Sequence, residues 1–293
     1  MGMRFGVVYP QIELSPEPGV LRAYVEEVVS LGFLHLLVYD HVLGADPAVH
    51  PGWQGPYDID CSFHEPFTLF GYLAAVTSLE LVTGIVILPQ RQTALVAKQA
   101  AEVDVLSEGR LRLGVGIGWN HVEYESLGQD FTTRGAREEE QIGLLRRLFT
   151  ERSVTHEGRF DTVRGAGLNP LPVQKPIPIW MGGQSDAAYR RIGRLADGWF
   201  PQVSPGPALD RARALMSESA ELAGRDPARL GMEGRVTIAP GETSSFIEAV
   251  SAWREAGATH LSVNTMGHGR RSLDEHLSAL RAAAEVLGLP LSR

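Results

Sequence analysis

The run Leu81-Val82-Thr83-Gly84-Ile85-Val86-Ile87-Leu88 is apolar throughout except for one threonine and one glycine; helical periodicity over 93–107 follows it, then a second apolar run over 111–116. A short apolar run, an amphipathic stretch and another apolar run read as strand, helix and parallel strand, because strands covered by helices on both faces need no polar alternation. The unit repeats in both directions from there. Strands are expected at 4–9, 34–39, 81–88, 111–116, 177–181, 198–201, 234–239 and 260–264, and helices at 19–31, 66–77, 93–107, 134–150, 186–196, 207–223, 244–256 and 272–287. In the first helix Leu21, Val25, Val28 and Leu31 fall close to one stripe, and Gly32 supplies the stop. Eight strictly alternating units favour an α/β fold closed as a (β/α)8 TIM barrel over an open doubly wound sheet.

The 293 residues fit one such barrel, and no charge block or low-complexity linker divides them, so residues 1–293 are expected to form a single domain. A formal net charge of −8 argues against a broad footprint for nucleic acid or anionic lipid. Residues 1–10 carry one Arg and a short apolar run, too little for a signal peptide or membrane span, so a soluble, cytoplasmic protein is expected. The lone Cys61 can form no internal disulfide, and its setting among Asp58, Asp60 and His64 is not a metal-ligand spacing. No metal site is expected, since the nine histidines are scattered. Zinc-hydrolase, α/β-hydrolase and P-loop motifs are likewise missing.

Barrel chemistry sits where strands end and the following loops begin. The second strand ends in Tyr39-Asp40-His41, an acceptor beside a group that titrates near neutrality, and equally a strand end with polar residues facing solvent. Gly84 inside the third strand suggests a bulge, the close approach of something flat, or simple packing. On the fourth, Gly114, Gly116 and Gly118 do not have the dinucleotide-binding spacing. They leave room for a planar ring bordered by Trp119 and Glu123, or they relieve crowding in the interior. After the fifth, Gly182-Gly183-Gln184-Ser185 precedes a helix, which suits a phosphate held by backbone N–H groups, or an ordinary capped turn. Two connections are long: 40–65, of the kind that carries function, and 152–176, which opens with a small hairpin around Val154, His156, Gly158 and Phe160.

Asp40-His41, Glu65-Pro66-Phe67, Leu88-Pro89-Gln90-Arg91, Leu106-Ser107-Glu108-Gly109-Arg110-Leu111, Gly114-Val115-Gly116-Ile117-Gly118-Trp119-Asn120, Trp180-Met181-Gly182-Gly183 and Ala196-Asp197-Gly198-Trp199 occur in the order in which they stand in one family. Through them the chain resembles the luciferase-like monooxygenase superfamily, and most closely its branch of probable coenzyme F420-dependent oxidoreductases. The resemblance implies a deazaflavin or flavin ring at the strand ends. Asp40 would contact the ring edge, His41 would handle the proton, and Gly84-Ile85 matches the place where the superfamily often has a non-prolyl cis peptide behind the ring. Gly116 and Gly118 would face the ring, and Gly182, Gly183 and Ser185 would hold the cofactor phosphate. Many relatives have Glu where this chain has Trp119, which leaves Trp119 and Glu123 as candidates beside His41. Trp53, Tyr57 and Phe63, on the loop 42–64, would form a lid and substrate wall; Arg110 would anchor the fourth strand. The activity implied is hydride transfer between coenzyme F420 and a small organic substrate, in a homodimer. The alternative is an FMN-dependent monooxygenase supplied with reduced flavin by a separate reductase; a non-catalytic flavin-binding protein is a third reading.

Overall fold

The computed structural model describes residues 2–290. In chain order the elements are β1 (Arg4–Val8), α1 (Pro18–Ser30), β2 (His35–Val38), α2 (Pro66–Val76), β3 (Glu80–Thr83), β4 (Val86–Ile87), α3 (Thr93–Leu106), β5 (Leu111–Gly116), α4 (His121–Ser126), α5 (Arg134–Thr150), β6 (Val154–Glu157) and β7 (Thr162–Ala166). There follow β8 (Ile179–Gly183), α6 (Asp186–Leu195), β9 (Gly198–Pro201), α7 (Pro207–Leu222), β10 (Gly231–Thr237), α8 (Thr243–Glu255), β11 (His260–Asn264) and α9 (Leu273–Leu287). The parallel order β3-β2-β1-β11-β10-β9-β8-β5 closes through a β3–β5 pairing, so the barrel expected from the alternation is present.

The single strand expected over 81–88 is two pieces of one stave. β3 and β4 both pair with β5, and between them the Gly84–Ile85 peptide is cis. A Cβ at Gly84 would lie 2.2 Å from Leu37 Cδ2, so a side chain there would displace its neighbour. The seventh stave begins at Gly231 rather than at residue 234. Its first turn inward is a buried charge, Glu233, which no apolar pattern announces. The hairpin expected after residue 152 is β6–β7. The short helix α4 was not expected; Asn120 starts it by accepting the Glu123 N–H at 3.2 Å.

Alternation along the strands sends Leu36, Leu81, Leu113, Ile179 and Leu261 outward, where they join Phe70, Leu73, Val96, Phe149 and Ile192 of the helices in one buried core. The inward side chains form a second cluster, Val8, Leu37, Val82, Trp180, Phe200 and Met266. Beneath it, at the amino-terminal ends of the strands, the bore is filled by charge. Arg112 donates to Glu233 and, at 3.2 and 3.3 Å, to Glu80, and its guanidinium lies 4.3 Å from the Trp180 ring centroid. His35 Nε2 lies 3.0 Å from both Glu233 Oε1 and Ser262 Oγ. This lower plug leaves the opposite, carboxyl-terminal end of the bore as the open mouth. Arg110 ties the start of β5 to the end of α2, donating to the carbonyls of Ala74, Thr77 and Leu79 at 2.8–3.0 Å.

Candidate active site

The mouth is built from residues just past the strand ends. Asp40 follows β2 and is buried; its Oδ1 accepts from Arg91 at 2.9 Å and its Oδ2 from the Ile87 N–H at 3.2 Å. Arg91 in turn donates to Glu65 at 3.0 Å, and Glu65 caps α2 by accepting the Thr68 N–H at 2.7 Å. A chain of charge-assisted bonds therefore locks the ends of β2 and β4 to the start of α2. Burial raises the Asp40 pKa, and the Arg91 charge and the Ile87 N–H offset only part of that rise.

His41 stands next to this clamp. Its Nδ1 is 3.4 Å from Glu123 Oε2, and its side chain is nearly buried. Glu123 is completely buried on α4 and accepts from Gln90 Nε2 at 3.1 Å, from the Leu43 N–H at 3.1 Å and from the Val42 N–H. Burial by itself would raise the Glu123 pKa, but the bonds from His41 and Gln90, the His41 charge and the Leu43 N–H together bring it below the ordinary carboxylate value. The carboxylate so held faces His41 through Nδ1. Glu123, a catalytic candidate from the sequence, is thus buried and faces His41.

The loop 42–64 folds over His41. The rings of Phe63, Tyr57 and Trp119 surround the imidazole, with centroids 4.8, 5.3 and 5.4 Å away, and Trp53 meets Trp119 at 5.6 Å. A Cβ at Gly55 would fall 2.3 Å from the Trp119 ring, so the loop reaches the indoles only through a residue without a side chain. A cavity of about 650 Å³ lies between residues 49–56 and Trp119 and His121. The candidate substrate residues Trp53, Tyr57 and Phe63 are therefore brought together with His41 and Trp119 in one aromatic wall.

Across the mouth, β5 and β8 end in glycines, at Gly116 and at Gly182 and Gly183. A Cβ on Gly116 would come 2.8 Å from Ile85 Cδ1, and one on Gly182 would come 3.5 Å from Ile85 Cγ2, so Ile85 and two bare strands make one smooth surface. Gly118, with φ +63°, turns the chain away beyond β5. Gly182 and Gly183 end β8 as strand residues, and Ser185 caps α6 by accepting the Ala188 N–H at 3.2 Å. The mouth also holds residues absent from the sequence-derived site. Gln90 and Arg91 stand within one of the resembling stretches; Tyr39, just past β2, and Arg235, within β10, are bonded at 2.9 Å and carry no local signal of that pairing.

A closed eight-stave barrel plugged by charge at one end, with an oriented histidine and a glycine-rich wall at the other, belongs to the class of barrels that work at the carboxyl ends of their strands. The chain belongs to the luciferase-like monooxygenase family, whose sequence pattern it matches over residues 3–287. It is similar to an uncharacterised protein of Mycobacterium tuberculosis, 40% identical over 164 residues; the match covers 56% of each, so the chain spans little more than half of that relative's length. In structure it is similar to an F420-dependent secondary alcohol dehydrogenase solved with an F420–acetone adduct, at 16% identity, TM-score 0.78 and coverage of 98% of this chain and 99% of the other. It is also similar to a monooxygenase from Streptomyces bottropensis, at 21% identity and TM-score 0.76, over 97% and 98% of the two chains. At such identities these likenesses show the fold. Among the described residues no helix is long and apolar enough to cross a membrane, and no group of three or more His, Cys, Asp or Glu side chains is arranged around a common metal position.

Proposed function

We propose that the chain is an oxidoreductase that uses coenzyme F420 to transfer hydride to or from a small organic substrate. The observation that carries this reading is the pairing of two surfaces across one mouth: the floor of Ile85, Gly116 and Gly182, and the His41 imidazole held by Glu123. A side chain on Gly116 would crowd Ile85, while one on Gly182 would only touch it, and the surface these residues form fits a flat heteroaromatic group. Gly183 and Ser185, beside the amino terminus of α6, would hold its phosphate. When bound, a deazaflavin supplies a carrier for hydride that reacts poorly with oxygen. The protein's part is to orient, to exclude water and to handle a proton. His41 Nε2 gives or takes the proton, Glu123 fixes the ring that carries it, Asp40 and Arg91 keep the mouth in register, and the loop aromatics Trp53, Tyr57, Phe63 and Trp119 form lid and wall.

The same floor suits FMN, and the likeness to a monooxygenase keeps an FMN-dependent monooxygenase as the second reading. Trp119 and Trp53 stand in the wall and make binding visible by fluorescence. Titrating the purified chain with F420 and with FMN is expected to quench that fluorescence with saturation by F420 at the lower concentration. Saturable FMN binding with no response to F420 would overturn the leading reading in favour of the second.

A further inference from the structure

On β10, alternation sends Glu233, Arg235 and Thr237 into the bore. Glu233 meets His35 and Arg112 there, while Gly234 between them faces α8, where a Cβ would lie 2.4 Å from the Trp253 ring. Arg235 Nη1 donates to Tyr39 Oη at 2.9 Å, and since β1 and β11 separate β2 from β10 in the sheet, that bond spans the interior. Although it points inward, Arg235 is exposed, so the mouth is open to solvent above it.

The acidic groups nearby are all engaged elsewhere: Glu233 by Arg112 and His35, Asp40 by Arg91, and Glu123 by His41 and Gln90. Among the described residues Arg235 forms no ion pair, and its side-chain hydrogen bond goes to a neutral phenol. Tyr57, whose ring touches His41, also lies near this cation: burial pushes its phenol up to about 12, with the Arg235 charge acting against it. Arg235 thus sits beside the aromatic wall and across the bore from the Ile85-Gly116-Gly182 floor. A guanidinium carries five N–H donors in a planar fork, so the bond to Tyr39 leaves most of them for a two-oxygen acceptor.

We propose that Arg235, with Tyr39 and Tyr57, binds an anionic oxygen group, a carboxylate or a phosphate, on the substrate. The assignment rests on reading the opposite floor as the cofactor side. The substrate class narrows accordingly, to small organic molecules that carry such an anion within reach of the atom that His41 protonates or deprotonates.

Ligand-observed saturation-transfer NMR with benzoate, phenyl phosphate and the neutral benzamide tests this, on the chain alone and on the chain loaded with whichever of F420 or FMN binds. At least one anion is expected to bind about tenfold more tightly than benzamide; comparing the two anions tells carboxylate from phosphate. Arg235→Gln should abolish the preference, Arg235→Lys should keep part of it, and Tyr39→Phe should weaken it, all with cofactor affinity unchanged. Equal binding of anions and benzamide to the wild type, or a preference that survives Arg235→Gln, would overturn the proposal. So would loss of cofactor affinity in Arg235→Gln, which would give the arginine to the cofactor. Should neither cofactor bind, the oxidoreductase reading fails by itself, and the anion preference of the unloaded chain and its response to Arg235→Gln still decide for or against the arginine.

Discussion

Replacing His41 by Ala is expected to lower turnover by about 10²- to 10³-fold while leaving cofactor affinity essentially unchanged, a loss in the range that a positioned acid–base group contributes. The expectation follows from how the imidazole is held. One nitrogen faces a buried carboxylate at 3.4 Å, and three aromatic rings surround the imidazole. Glu123→Gln keeps an acceptor behind the ring and removes the charge, so it should cost less than His41→Ala and shift the pH profile of turnover. Steady-state kinetics of both variants, beside a cofactor titration, make the check. Unchanged turnover in His41→Ala removes its role; lost cofactor binding with normal turnover per bound cofactor would place His41 in the cofactor pocket instead.

The largest effect on stability is expected at the other end of the bore. Arg112→Met leaves Glu233, nearly buried and still charged, with His35 and Ser262 as its remaining partners, and breaking a buried pair in this one-sided way costs about 3–5 kcal/mol. Thermal unfolding should show a drop in Tm of roughly 10 °C. Replacing Glu233 by Gln in the same chain should recover part of the loss, because the stranded charge is gone. A drop of only a degree or two in Arg112→Met would mean that water reaches the plug. The plug also shapes acid stability. Burial, then the Arg112 and His35 charges, push the His260 pKa down to about 3 from its usual 6.5. Between those values the unfolded chain takes up a proton that the folded chain refuses, so stability falls as pH drops through that window. Glu233, depressed chiefly by Arg112 and His35 against its burial, adds a second loss as pH falls below the ordinary carboxylate range.

The alternation of apolar runs and amphipathic stretches made the barrel legible, because burial on both faces writes itself into continuous runs such as 111–116. It misplaced the start of the seventh stave for the converse reason: Glu233 is a buried charge satisfied from across the barrel, and such partners are invisible along the chain. Asp40, His41, Gly116 and Gly182 could be found because they stand at strand ends. The Asp40–Arg91–Glu65 clamp and the Tyr39–Arg235 bond could not, since each joins residues 26 to 196 positions apart. Glu123 was noticed as a border of the mouth, and only the fold shows that it faces His41 and lies behind it.

A crystal structure of the chain grown with F420 shows whether a planar cofactor lies on the Ile85-Gly116-Gly182 floor with His41 at the mouth beside it. Ring electron density is expected against those three residues, with phosphate density at Gly183 and Ser185 and open space between the ring and Arg235. A ring bound in the cavity beside Trp53 and His121, or one with Arg235 on its phosphate, would contradict that placement.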